Sequence, residues 1–374
     1  MMKVLHVINT LSAGGAELHL LTLCRHLKRQ GVEVCVAFLR ERVKGSESLR
    51  NEFQQTGIRV VDLGSDRRFD PGCIFKLVNL IRRERPDIVH SHLPRADFAA
   101  AIAHWFYPSI SFVCSVHDIY SKSWSGKWAL TLFNFIWRRA YAVIAISQAV
   151  KDWLVHERGI PSGRVCVIHY GIDAERFAYS GSDLRKTRDL TGRAVIGSVG
   201  RLEPRKGHEY LIQAMPSILE EVPSAHLLIA GHDPSGHGRK LRTLIAHLGL
   251  NERVRLVGFQ DDVSSFLQSL DLFAFASTSE GFGQVVIEAM AAGKPVVATN
   301  VSALREIVID RETGLLASPR DPQGLVGPIC RLLKDADLRR KMGRAGRKRV
   351  EETFNAERMV EGTIKLYAGL SGGR

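Results

Sequence analysis

The chain has 374 residues, 45% of them hydrophobic and 24% charged, which is the make-up of a folded globular protein and excludes a largely disordered one. That length exceeds one ordinary core and fits two domains. The net charge of +13 is divided nearly evenly between the halves, which argues against a dedicated nucleic-acid domain and fits anionic substrates or an anionic surface.

The six cysteines have no close pair and mostly apolar neighbours, as in VEVCVAF, so they read as buried free thiols. The opening MMKVLHVI reads as a strand, too short and mixed for a signal peptide, and no apolar run reaches the length of a membrane span. A cytoplasmic protein with peripheral membrane contact is the expectation.

Residues 3–9, KVLHVIN, form the continuous apolar run of a strand buried on both faces of a parallel sheet. A tight turn at Ser12, Ala13, Gly14 and Gly15 follows, then a helix with Leu20, Leu23 and Leu27 on one face. Strand, glycine turn and helix make a unit whose loop can receive phosphate, but no G-x-G-x-x-G is present, so NAD has little support. Further strands and helices alternate through DIVH at 87–90, as in a doubly wound α/β domain. His90, His92 and Asp97 surround the loop at that strand's carboxyl end, where one of them is expected to touch a ligand.

SFVCSVHD repeats the pattern and ends in His117 and Asp118. In the aromatic-rich helix over 124–139, Trp124, Trp128, Leu132 and Phe135 share one face, and core packing is expected for it. Phe133 and Trp137 lie on other faces beside Lys127, Arg138 and Arg139, so contact with a lipid-linked acceptor or a membrane interface is the alternative. RVCVIHYGIDAERF closes the first half, and the polar segment 178–193 reads as a linker.

The second half starts over with AVIGSVGRL and continues as alternating strands and helices. The stretch 277–300, STSEGFGQVVIEAMAAGKPVVATN, reads as loop, helix, turn and strand, with Glu280 and Glu288 eight positions apart. Gly281 and Gly283 allow close backbone approach, and the helix opening near Gly283 offers amides to an anion. Upstream, Arg201 and Lys206 in VGRLEPRKG follow a strand and can aim a guanidinium and an ammonium at the same kind of charge. The acidic pair Asp261 and Asp262 is adjacent rather than spaced as a metal-holding Asp-x-Asp, so no metal is expected. The basic run at 339–349 reads as a solvated helix face.

Together GGAE, SVHD at 115–118, Arg201 with Lys206, and the Glu-x7-Glu segment resemble a retaining, nucleotide-sugar-dependent glycosyltransferase of family 4, from the first strand to about Leu316. The resemblance implies the GT-B architecture: two doubly wound, Rossmann-like α/β domains facing a central cleft. Residues 1–175 would be the acceptor domain and 176–350 the nucleotide-sugar domain, with helices in 351–374 crossing back to the first.

It assigns Gly14 and Gly15 to the donor diphosphate and its sugar, His117 to the sugar through side chain or carbonyl, and Arg201 and Lys206 to the leaving diphosphate. Glu280, with the backbone of Phe282, Gly283 and Gln284, would hold the sugar, and Glu288 the ribose. Gly258, Phe259 and Val263 would border the base. His92, Asp97 and Asp118 would face a glycan or lipid-linked glycan acceptor. The expected donor is a UDP- or GDP-sugar, transferred with retention and with no metal or other cofactor.

Members usually carry asparagine where this chain has Tyr170, which puts in doubt the donor contact made there. A sugar-nucleotide epimerase would need acid and base carboxylates, of which Glu280 is the only candidate. A non-catalytic nucleotide-sugar or polyanion binder is the other competing reading. Pyridoxal-phosphate phosphorylases of this fold are normally much longer.

Overall fold

Strand β1 (Lys3–Thr10) is central to a sheet whose neighbours all run parallel to it, and its side chains from Val4 to Ile8 are fully buried. The computed structural model describes residues 1–40, 48–64, 70–120, 122–179, 181 and 184–371, without the side chains of 122–130 and 371. Two units divide the chain: Met1–Gly171 with the residues from Ala356 onward, and Ile172–Asn355. The crossing points thus fall at 171/172 and 355/356, a few residues from the 175 and 351 expected from sequence.

In the N-terminal unit α1 (Gly15–Arg29), β2 (Glu33–Arg40), α2 (Arg50–Gln55), β3 (Arg59–Asp62), α3 (Pro71–Glu84) and β4 (Ile88–His92) follow β1. Then come α4 (Pro94–Phe106), β5 (Ser111–Val116), α5 (Lys122–Arg139), β6 (Ala142–Ala145), α6 (Gln148–Asp152) and β7 (Val165–Val167). The strand order β3-β2-β1-β4-β5-β6-β7 reverses direction at β1, the mark of a doubly wound sheet. Local chemistry sets the helix ends: the Asp70 carboxylate accepts from the Gly72 and Cys73 amides and Pro71 opens α3.

The second unit runs α7 (Leu184–Thr187), β8 (Ala194–Val199), α8 (His208–Glu221), β9 (Ala225–Ala230), α9 (Gly238–His247), β10 (Val254–Gly258), α10 (Val263–Gln268) and β11 (Leu272–Phe275). It continues with α11 (Gln284–Ala291), β12 (Val296–Thr299), α12 (Leu304–Ile307), β13 (Gly314–Ala317), α13 (Pro322–Lys334) and α14 (Ala336–Thr353). Its parallel sheet has the order β10-β9-β8-β11-β12-β13, Rossmann-like again. Helix α14 packs closely on α11, since a Cβ at Gly343 would lie 2.0 Å from the Gly293 carbonyl oxygen. The basic run expected on a solvated face is on α14: Gly343, Gly346 and Met342 point inward, and Arg349 reaches the Glu306 and Ile307 carbonyls. The last helix, α15 (Ala356–Ser371), belongs to the N-terminal unit and packs on α1.

Two expectations are corrected. The described residues of the segment read as a linker are docked within the second unit: Arg185 pairs with Asp271 at 2.8 Å, Ser264 donates to the Tyr179 carbonyl, and Arg188 donates to Gln260. Its polarity reflects these bonds rather than freedom. In α5, Ile136 and Trp137 are buried whereas Leu132 and Phe135 are exposed, the reverse of the expected core face. Trp137 wins the interior because its indole N–H finds the Asp97 carboxylate at 3.1 Å and its ring packs edge-on against Trp153. Trp124, Trp128 and Lys127 lie outside the described side chains.

Candidate functional site

In the C-terminal unit, two loops at the carboxyl ends of β8 and β11 are laced together by backbone. A Cβ at Gly207, which has a φ of 65°, would sit 2.0 Å from the Ala276 carbonyl oxygen, so only glycine permits the approach. The Thr278 amide and the Ser277 hydroxyl both donate to the Arg205 carbonyl. This contact delivers Lys206 to Glu280: Nζ donates to Oε1 at 2.6 Å, and the Ser277 hydroxyl donates to the same oxygen at 2.7 Å. Burial pushes the Glu280 carboxyl up, but Lys206 and Arg205 outweigh it and hold the group below its ordinary range. Lys206 also lies 5.3 Å over the Phe275 ring. Arg201 is exposed and pairs with Glu203 at 3.1 Å, so its guanidinium stays at the solvent side of the same loop.

Gly283, at φ 104°, opens α11 without a side-chain cap, and Leu304 fills the space where a Cβ would go. Phe282 points into the core against Phe354, which leaves its backbone as what a ligand could meet. One turn into α11, Glu288 is buried and accepts from the side-chain amide Nε2 of Gln284 at 3.0 Å. Burial raises its carboxyl to about 7, with Gln284 and Arg176 pulling the other way. A carboxylate poised this way can accept hydrogen bonds from vicinal hydroxyls. Asp262 is the N-cap of α10, accepting from the Ser265 amide at 2.9 Å, so it serves the helix that Val263 begins.

Sequence reasoning named Gly258 and Phe259 but missed His232. Its imidazole stacks on the Phe259 ring at 3.9 Å and 15°, and its Nε2 is buried without a partner. The signal was available: His232 follows Gly231 at the carboxyl end of β9, and a Cβ at Gly231 would strike the Gly200 carbonyl.

In the N-terminal unit, the register of β1, β4 and β5 puts alternate side chains on one face, which collects His6, His90, His92 and His117. Three of them form a chain with Tyr170: His6 Nδ1 to His92 Nε2 at 3.0 Å, His92 Nδ1 to His117 Nε2 at 3.1 Å, and His117 Nδ1 to the Tyr170 hydroxyl at 2.5 Å. Burial drives His6 and His117 down to about 3 and His92 well below its ordinary value, so every ring is neutral and carries one N–H. The bonds must therefore all point one way along the chain. His6 Nε2, which has no partner, is its open end.

His90 bonds Tyr367 of α15 at 2.6 Å and Ser115 at 2.8 Å. Ring nitrogens of His6, His90 and His92 come within 4.8 Å of one another, the spacing of a metal site, but His90 has both nitrogens engaged and the other two are bonded together. Both nitrogens of His117 are likewise committed inside the unit, which limits a side-chain contact with a sugar.

The acceptor residues separate. His92 is fully buried within the histidine chain. Asp97 is also sealed, its oxygens accepting from Ser91 at 2.7 Å and Trp137 at 3.1 Å, and burial lifts its carboxyl to about 7. Neither is open to an acceptor, because the interior supplies all their partners. Asp118 is half-buried and accepts from the Ile119 amide. Gly14 is the N-cap of α1 and Gly15 its first residue, but the first turn already holds a carboxylate, Glu17, bonded to Thr10 at 3.0 Å.

The family described as Glycosyl transferases group 1 matches residues 182–349, and Glycosyltransferase Family 4 matches residues 13–176. The chain is 30% identical over 305 residues to the uncharacterized glycosyltransferase MJ1178 of Methanocaldococcus jannaschii, covering 78% of each. It is 28% identical over 307 residues to the capsular polysaccharide biosynthesis glycosyltransferase CapM of Staphylococcus aureus, covering 80% of each. The crystal structure of Anabaena Alr3699/HepE in complex with UDP-glucose superposes with a TM-score of 0.88 at 26% identity, over 99% of this chain and 100% of that one. Two Rossmann-like units of parallel sheet define the GT-B class. The chain belongs to the group 1 glycosyltransferases.

Proposed function

We propose that the protein transfers a hexosyl group from a UDP- or GDP-sugar to a glycan or lipid-linked glycan, with retention of anomeric configuration and without a metal. The observation that carries this reading is the pair of half-buried Lys206 and buried Glu280, 2.6 Å apart beside the uncapped start of α11, with Glu288 one turn further on. Lys206 and Arg201 offset the charge that builds on the diphosphate as the glycosidic bond breaks. Glu288 accepts from the ribose hydroxyls, the His232 and Phe259 stack walls the base, and Glu280 accepts from the sugar. The acceptor oxygen bonds to the anomeric carbon on the face the diphosphate leaves, and its proton passes to the departing phosphate oxygen. The UDP-glucose complex of Alr3699/HepE and the polysaccharide role in the name of CapM support the donor and acceptor classes.

A thermal-shift screen against UDP, GDP, ADP and their sugar conjugates, repeated with Glu288→Ala, tests the reading. One nucleotide sugar should raise the melting temperature of the wild type and not of the variant. If none does, a polyanion binder is the better description.

A further inference from the structure

Among the described residues, most of the large apolar side chains that the N-terminal unit leaves in water gather at one end of it. In a right-handed crossover each helix runs back against its strands, so helix C-termini collect where the strands begin. Helices α3, α4 and α5 pack side by side and end on that edge. There Trp105 and Phe106 close α4 at 78% and 66% exposed, Phe135 lies one turn before the end of α5 at 55%, and Tyr141 precedes β6 at 59%. In the C-terminal unit, by contrast, the described residues expose only Tyr179 and Ile309.

The charges beside these rings are basic. Arg82 and Arg83 end α3, Arg139 ends α5 with its guanidinium 4.5 Å over the Phe135 ring, and all three are exposed. The carboxylates of the same edge are mostly occupied: Glu84 by Lys3 and Arg59, and Asp87 by the Lys3 amide, while Glu157 is exposed. A second copy laid face to face would bring the arginines together. Tryptophan, tyrosine and phenylalanine among arginines suit a headgroup layer, where rings enter the interface and cations meet phosphate.

We propose that this edge docks the protein on an anionic lipid bilayer. β5 runs from it towards His117, so docking occupies the opposite end of the sheet from the histidines and leaves them clear. This holds whatever nucleotide the C-terminal unit takes.

Sedimentation with phosphatidylcholine vesicles, with and without phosphatidylglycerol, tests it. The wild type should bind the anionic vesicles alone, with a blue shift in tryptophan emission. Both Trp105→Ala with Phe106→Ala and Arg82→Glu with Arg83→Glu and Arg139→Glu should lower the partition by roughly tenfold or more. Both should keep the melting temperature and the transfer to a soluble acceptor. Failure of the wild type to bind, or unaltered binding by either folded variant, overturns the proposal. So does light scattering that finds a dimer which Trp105→Ala dissolves, since a second copy then covers the edge.

Discussion

The Tyr170 hydroxyl lies 2.5 Å from His117 Nδ1, and the Tyr170 ring stacks on His19 at 4.1 Å, so the residue that departs from the family's asparagine is built into the histidine chain. Tyr170→Phe keeps the stack and removes the bond, leaving a buried ring nitrogen unpaired at a cost of about 1–3 kcal/mol. Calorimetry should show a lower melting temperature for the variant. An unchanged one would mean that the bond contributes nothing to stability.

Lys206→Ala leaves the Glu280 carboxylate buried without its principal countercharge, which typically costs about 3–5 kcal/mol. Loss of a cation from the leaving group should also lower turnover by about a hundredfold or more, with donor affinity less affected. Adding Glu280→Gln should restore part of the stability and none of the rate. Steady-state kinetics beside melting curves separate the effects, and wild-type turnover in Lys206→Ala removes the diphosphate role.

On the proposed reading, Glu288 makes donor binding depend on pH. Its carboxyl, ordinarily near 4.5, is held at about 7 by burial, and hydroxyls of a ribose favour the charged form. Donor affinity should therefore rise as pH increases through about 7. Stability runs the other way: the folded state binds the extra proton between 4.5 and about 7, so this contribution is full below 4.5 and is lost as pH rises through 7. Calorimetric titration with the nucleotide across this range should lose its pH dependence in Glu288→Gln.

The buried histidines predict acid lability in the N-terminal unit. Burial lowers the pKa of His6, His19, His90, His92 and His117 below 6.5, so the unfolded chain takes up protons that the folded one refuses. Stability from this source is present above 6.5 and is lost as the pH falls, towards about 3 for His6 and His117. Asp97 opposes the trend, since its raised carboxyl favours the fold in acid, but it is one group against five. Circular dichroism should show His19→Phe, which retains a ring against Tyr170, unfolding at lower pH than the wild type.

On the proposed mechanism Lys206 and Arg201 supply the charge a metal would bring, so transfer should persist in the presence of a chelator. Complete loss of activity that added metal restores would overturn the metal-free mechanism.

What the sequence by itself determined is local. Buried strands read as unbroken apolar runs, glycines mark places where a Cβ has no room, and the spacing from Glu280 to Glu288 spans the turn and first helical residues of one element. These features follow from neighbours along the chain, so the parallel-sheet class, the order of elements and the loops at strand ends were legible.

Only the tertiary structure decided which side chains meet. Lys206 and Glu280 stand 74 positions apart and join because two glycine-permitted loops touch. His6, His92, His117 and Tyr170 come from four separate segments, and strand register, which periodicity leaves open, aligns them. Helical spacing offered two apolar stripes on α5, and the hydrogen bond from Trp137 to Asp97 selected the buried one. The same bond took Asp97 from the acceptor and left Phe135 in water, since a buried carboxylate demands donors and an exposed ring does not.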